Sequence, residues 1–182
     1  MKRWFDCQMV NEARGLRLLP VSVFCMFVLL SAVAGCTSID CPVQNVVATV
    51  YNLQKSDGTA DTLVDTLTIL TRRSNGTDTT LLNRSVNTTS FQLPISYSNP
   101  EDTLVFALID TATKATYHDT LYIKKENQPH FESVDCNIAF FHTITGTRIS
   151  SHNVIDSVSI NKSAVNYDLS TEHFHIYFKA RH

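Results

Sequence analysis

Residues 62–83 read TLVDTLTILTRRSNGTDTTLLN and carry the strongest strand–turn–strand pattern in the chain. Apolar and β-branched residues alternate around Leu67 and Ile69, which is the period of two expected of a strand with one buried face. The dipeptide Asn75-Gly76 follows, and it favours the tight turn that joins two antiparallel strands. The stretch therefore predicts a β-hairpin formed by residues 62–72 and 79–83.

The same period continues on both sides of this hairpin. Ser56-Asp57-Gly58 predicts a further hairpin between the first strand and residues 62–72, and Pro94 restricts its strand to a sheet edge or a strand end. Pro129 and Gly146 are expected between strands. The other predicted strands are residues 44–54, 91–95, 104–109, 116–124, 134–142, 154–160 and 172–180. No long amphipathic helix is predicted, so the fold class is all-β: an antiparallel β-sandwich of immunoglobulin-like topology, with a small β-barrel as the alternative.

The N-terminus has the pattern of a targeting segment. Four basic residues precede an apolar run, residues 18–33, which is shorter than the ~20 residues that a membrane-spanning helix needs. The run ends at Val33-Ala34-Gly35-Cys36, which resembles the lipobox of bacterial lipoproteins, whose cysteine thiol carries diacylglycerol. We therefore predict a lipoprotein signal peptide at residues 1–35, a lipidated N-terminus and short tether at 36–43, and the β-sandwich domain at 44–182. An uncleaved anchor helix is the alternative.

Two further cysteines remain once residues 1–35 are removed and Cys36 is lipidated: Cys41 and Cys136. An oxidising envelope favours one disulfide bond between them. It would close a loop of ~95 residues, and the chain-entropy model credits such loops with ~4–5 kcal/mol. Two unrelated buried thiols are the alternative.

Several segments of the predicted domain resemble an uncharacterised family of small Bacteroidales lipoproteins. The likeness includes Asp135-Cys136-Asn137, Ile155-Asp156-Ser157-Val158 and the closing residues 173–178. It implies location and fold only, because the family has no assigned activity. It points to the outer membrane, with palmitate among the lipid chains. Residues 37–40 contain one acid, fewer than is typical of surface-export signals, so the periplasmic face is expected rather than the cell surface.

Composition and motifs argue against several functions. The formal net charge is -2, which does not favour nucleic acid as a partner. The three glycines after residue 35 (Gly58, Gly76 and Gly146) form no phosphate-binding loop or nucleophile elbow, so neither an enzyme nor a cofactor is expected. The expected partners are the membrane, through the lipid, and an unidentified envelope protein or glycan. The predicted role is structural or protein-binding, and a glycan- or metal-binding module is the alternative.

The metal alternative depends on His173 and His175, which period two places on one face of the last predicted strand. Both rings would be able to ligate one ion, with Glu172, His142 or His182 in reach. The simpler interpretation is that His173, His175, Tyr177 and Lys179 form the solvated face of that strand. We therefore expect no metal site there.

A tripeptide of Asp, then Thr or Ser, then an apolar residue or Thr occurs seven times. It resembles the O-glycosylation sequon of exported proteins in the same bacterial group. The alternative is structural, since Asp closes turns and Thr opens strands, and both interpretations can hold at once. The candidate hydroxyls belong to Thr62, Thr66, Thr79, Thr103, Thr111, Thr120 and Ser157.

Overall fold

The computed structural model describes residues 46–73, 76–134 and 136–179, which lie within the compact unit Cys41–His182. This part of the chain contains ten β-strands and no helix. The strands are β1 (Ala48–Leu53), β2 (Thr66–Arg72), β3 (Asp78–Ser85), β4 (Ser90–Pro94), β5 (Glu101–Ile109), β6 (Thr116–His130), β7 (Ala139–Ile149), β8 (Ile155–Ile160), β9 (Ala164–Val165) and β10 (Phe174–Phe178).

The strands form two sheets, as the sequence predicts. The smaller sheet has the order β4-β1-β10-β8 and the larger one β3-β2-β5-β6-β7-β9. The chain passes repeatedly from one sheet to the other, which is the interleaved arrangement of sandwiches such as the immunoglobulin fold. The predicted β-sandwich is confirmed.

The core is built by alternating side chains from both sheets. Tyr51 of the smaller sheet stacks between Phe91 and Phe174, with ring centroids 4.8 and 4.9 Å away, and Phe106 of the larger sheet lies 6.3 Å from Phe91. Burial raises the pKa of the Tyr51 phenol, whose oxygen accepts a hydrogen bond from Thr49 Oγ1. Apolar area removed from water is the main driving force holding the two sheets together.

Several local predictions are confirmed. β2 and β3 form the predicted hairpin, and Gly76 in its turn has a φ of +80°, which glycine adopts without the strain that a Cβ would bring. Pro94 is the last residue of the edge strand β4. The apolar strand β5 is central, because it pairs with β2 on one side and β6 on the other.

The hairpin predicted between β1 and β2 is wrong. The turn at Asp57-Gly58 forms, but β1 pairs with β4 and β10, whereas β2 belongs to the other sheet. A turn signal determines that the chain reverses locally, but it does not determine which strand the following segment pairs with. Here the reversal produces a single antiparallel bridge, between Gln54 and Ala60. The β1–β10 pair is parallel and joins the first strand to the last.

The predicted breaks at Pro129 and Gly146 are also wrong, because both residues lie inside strands. β6 continues past its last pairing with β5 and then pairs only with β7, so the missing N–H of Pro129 is tolerated there. Gly146 lies opposite Lys124 at a shift in register, which is a usual place for glycine in a strand. The pair Ala164–Val165 is too short to give a periodic signal.

The sandwich has two ends that matter for function. At the entry end, defined by Val46, the start of β1 pairs with Pro94, residues 95–100 lead into β5, and the loop 131–138 joins β6 to β7. At the opposite end lie the end of β1, residues 54–65, and the end of β10, which runs parallel to β1.

Candidate functional site

The described residues form a groove of about 980 Å³ at the opposite end. Four separate segments line this opposite-end groove: residues 54–56, 61–65, 156–157 and 177–179. They follow β1, precede β2, begin β8 and end β10. Because these segments are far apart in the chain, no local sequence pattern could have identified the groove.

Hydrogen bonds within the loops fix the shape of the groove wall. Asp57 Oδ1 accepts hydrogen bonds from the backbone N–H and the hydroxyl of Thr59, and these bonds lower the pKa of the Asp57 carboxyl. Asp65 is buried, and its Oδ1 accepts hydrogen bonds from the N–H and hydroxyl of Thr111. Two of the acids near the groove thus hold loops in place.

Other groups present polar chemistry to solvent. Lys55, Lys179 and Asp156 are exposed and bring charges of both signs to the groove. The Tyr177 hydroxyl donates a hydrogen bond to Gln54 Oε1 at 3.2 Å, which orients the phenol ring. Such a surface suits a polar ligand held by hydrogen bonds and charge.

The seven tripeptides differ in how far their candidate hydroxyl residues are exposed to solvent. Three of the candidate hydroxyls are on exposed residues (Thr62, Thr111 and Ser157), and four are on partly buried ones (Thr66, Thr79, Thr103 and Thr120). Two of the exposed residues, Thr62 and Ser157, line the opposite-end groove. Glycosylation at these positions stays a prediction.

Asp119 shows the structural use of the tripeptide most clearly. It is only 1% exposed, and its carboxylate accepts hydrogen bonds from Ser151 Oγ and from the N–H groups of Asn153, Val154 and Ile155 at 2.6–2.8 Å. Burial by itself raises the pKa of the carboxyl, but these hydrogen bonds outweigh it and lower the pKa. Asp119 therefore anchors the connection between β7 and β8.

A second buried polar cluster supports the entry end. Lys125 Nζ lies 2.8 Å from Asp102 Oδ1 and donates to the carbonyl of Asn99 at 2.9 Å. On β7, His142 lies opposite Asn127 of β6, and the two side chains are hydrogen-bonded at 2.8 Å. Burial, together with the charge of Lys125, lowers the pKa of His142 to about 4, so this ring is neutral at neutral pH. Alternation along β6 places Lys125 on the same face as Leu121 and Ile123, but it does not identify the partners that satisfy its charge.

The expectation that His173 lies on a solvated face is wrong. His173 is 0% exposed and precedes β10, and its Nδ1 accepts a hydrogen bond from the Val50 N–H at 3.1 Å. Burial lowers the pKa of His173. The residue lies just before the strand begins, where the period of two no longer assigns faces.

His173 and His175 have different surroundings. His175 is partly buried, and its Nε2 lies 3.0 Å from Glu172 Oε2. Nε2 of His173 has no hydrogen-bond partner among the described residues. In those same residues, no three His, Cys, Asp or Glu side chains lie close enough together to hold a metal ion. His182 lies outside the described residues.

The predicted lipidation and disulfide sites fall partly outside the described chain. Cys36 and Cys41 precede residue 46, and Cys136 lies partly buried in the loop 131–138 at the entry end. The described segments include no helix with the length and apolar character that crossing a membrane requires. The lipid anchor and the Cys41–Cys136 pair both stay predictions.

Comparison with known proteins identifies a family but no activity. Residues 66–178 match the Family of unknown function (DUF6452), and the chain therefore belongs to this family. No curated protein and no solved structure matches the chain.

Proposed function

We propose that this member of the family is a lipid-anchored cell-envelope protein that binds a partner in its opposite-end groove. The observation that carries the proposal is the sequence Val33-Ala34-Gly35-Cys36 after an apolar run of signal-peptide length. Cys36 lies ten residues before Val46, where the described domain begins. The lipid would hold the protein at the outer membrane, on its periplasmic face.

The position of Cys136 in the fold supports a direction for the proposed anchor. Cys41 lies five residues after Cys36, and an extended chain spans at most ~3.3–3.6 Å per residue, so the tether reaches ~18 Å. A Cys41–Cys136 disulfide would bind the tether to the loop 131–138, which lies at the entry end. The entry end would then face the membrane, and the groove would be directed away from it.

The proposed role is binding rather than catalysis. Asp57 and Asp65, two acids near the groove, each use Oδ1 to accept hydrogen bonds that hold loop residues in place. The groove offers exposed charges of both signs, from Lys55, Lys179 and Asp156, for a polar partner. A protein with a structural or protein-binding role can use such a surface without catalysing a reaction.

Metabolic labelling with a fatty-acid analogue tests the anchor. The wild-type chain should carry the label and sediment with membranes, and Cys36→Ser should lose both. Cys25→Ser is the matched control, because Cys25 lies within residues 1–35 and should leave the label unchanged. A cleaved, unlabelled and water-soluble wild-type protein would refute the anchor, and protease treatment of intact cells would report which side of the membrane it occupies.

In-cell photocrosslinking tests the groove. A crosslinking amino acid at Lys55 should give discrete protein adducts, whereas one at Lys162, which is exposed but outside the groove, should not. Equal adducts from both positions, or none from either, would contradict a partner in the groove.

Glycan binding is the second candidate, and one observation favours it. The partly buried Tyr177 lines the groove together with the exposed residues Thr62 and Ser157, and a tyrosine offers a sugar both an apolar ring and a polar hydroxyl. Calorimetric titration with envelope glycan fragments should show binding that Tyr177→Ala removes and Tyr97→Ala keeps, since Tyr97 lies at the entry end.

A further inference from the structure

The entry end carries a concentration of exposed apolar side chains that the fold does not require. The described residues include eight large apolar side chains that are strongly exposed, and five of them lie at this end. Val134, at 84%, is the most exposed of all. The five are Val46, Tyr97, Phe131, Val134 and Ile138. Soluble surfaces rarely gather such residues unless they contact a partner or a membrane.

The geometry of β6 and β7 carries this surface beyond the start of β5. β6 pairs with β5 up to Lys124 and continues for six residues to His130, paired with β7 and flanked by residues 97–100, where the Lys125 N–H donates to the Pro100 carbonyl. At about 3.3 Å per residue, the β6–β7 hairpin extends ~20 Å beyond the start of β5. Phe131, Val134 and Ile138 lie in the loop at its tip.

Aromatic contacts stiffen the hairpin behind its tip. Tyr97 stacks on Phe140 with ring centroids 5.2 Å apart. His130 stacks on Phe141 at 4.1 Å, and Tyr167 packs edge-on against both rings. The Asn127 amide also donates to the carbonyl of Tyr97 at 2.9 Å. A rigid hairpin can present apolar side chains at its tip without collapsing onto the sandwich.

We infer that the loop 131–138 inserts its apolar side chains into the lipid surface to which the chain is anchored. This inference rests on the proposed lipid anchor at Cys36. Cys36 lies ten residues before Val46 at this end, so the extended chain between them spans at most ~33–36 Å, which covers the ~20 Å that the hairpin extends beyond the start of β5. Val46 at the chain entry and the hairpin tip would meet the bilayer together.

The lipid and the loop would have different roles. Acyl chains supply most of the membrane affinity, since stable anchoring usually takes two hydrophobic signals and the lipid provides them. The loop would fix the orientation of the sandwich and keep the opposite-end groove directed away from the bilayer. Glu132 in the loop would be repelled by anionic headgroups, so a zwitterionic surface is the better match.

The tryptophan content of the chain allows a clean test. The sequence has one tryptophan, Trp4, which lies in the predicted signal peptide. A tryptophan introduced into the mature, lipidated protein would therefore be its only one. We would compare Val134→Trp at the hairpin tip with Val64→Trp, a matched control that is 56% exposed at the opposite end.

Each full-length variant would be produced in a lipidating host and reconstituted into phosphatidylcholine vesicles with brominated acyl chains. Emission from Val134→Trp should shift to shorter wavelength and be quenched by the bromine, while emission from Val64→Trp should do neither. Phe131→Trp, which keeps an aromatic side chain, should repeat the result if Val134→Trp folds poorly.

Flotation of the vesicles separates the two ways in which the inference can fail. A variant that floats with the vesicles but shows no quenching at the tip would overturn the inference and leave the anchor standing. An emission shift without quenching would overturn it too, because a protein segment or a second copy would then cover the tip. A chain that is not lipidated and does not float would overturn the anchor and the inference together.

Discussion

Replacing Asp119 by Ala should destabilise the domain strongly, although the residue lies in a tripeptide that resembles a modification sequon. The change removes the acceptor of four hydrogen bonds. Ser151 and Asn153 are exposed and can turn to water, but Val154 and Ile155 are 0% exposed, so their N–H groups stay buried without an acceptor. At ~1–3 kcal/mol for each such donor, the loss is roughly 2–6 kcal/mol.

Thermal unfolding of residues 36–182 followed by circular dichroism measures this loss. At ~2–4 °C per kcal/mol, Tm should fall by roughly 4–24 °C. Asp156→Ala is the matched control, because Asp156 occupies the same tripeptide position but is exposed, and such changes are usually within ~0.5 kcal/mol. Equal Tm values for Asp119→Ala and Asp156→Ala would refute the anchoring role.

The same residue gives a pH dependence of known sign. The pKa of Asp119 is lowered in the folded state, so its contribution is complete above the unfolded pKa and is lost as pH falls through the folded one. Asp119→Asn should therefore flatten the acid limb of the stability curve of the wild type. An unchanged acid limb would show that other carboxyl groups cause it.

Three further outcomes follow from the structure. The pKa of His142 is lowered to about 4, so protons bind the unfolded chain more strongly than the folded one, and stability should fall as pH drops from about 6.5 toward 4. A titration followed by nuclear magnetic resonance should give a pKa near 4 for this ring, and a pKa near 6.5 would contradict its burial. Non-reducing peptide mapping should recover a Cys41–Cys136 pair, and Cys41→Ala and Cys136→Ala should lower Tm equally, by several degrees; two free thiols in envelope-derived protein would exclude the bond. Intact mass should exceed that of lipid plus polypeptide and decrease in Thr62→Ala and Ser157→Ala, whereas an unchanged mass would leave these tripeptides with only their structural role.

Local chemistry accounts for the features that the sequence predicts correctly. The β2–β3 hairpin forms where the sequence predicts it because a tight turn depends only on neighbouring residues, and Pro94 ends an edge strand because it lacks an N–H. Pairings between distant segments leave no local pattern. The parallel partner of β1 is the last strand, and nothing near Ala48 encodes that choice.

Burial of polar groups is the second limit of sequence reasoning. Alternation along β6 places Asp119 and Lys125 on the same face as the apolar residues of the strand, but the groups that satisfy their charges come from distant segments. His173 lies outside the strand whose alternation was used to assign its face. The opposite-end groove combines four distant segments and is visible only in the folded chain.

Mass spectrometry of the N-terminal peptide of envelope-derived protein tests the central claim most directly. The anchor predicts a peptide that begins at Cys36 and carries the mass of a diacylglycerol with its acyl chains, with no peptide recovered from residues 1–35. A peptide that runs through Gly35 into Thr37 with an unmodified Cys36 would contradict the anchor.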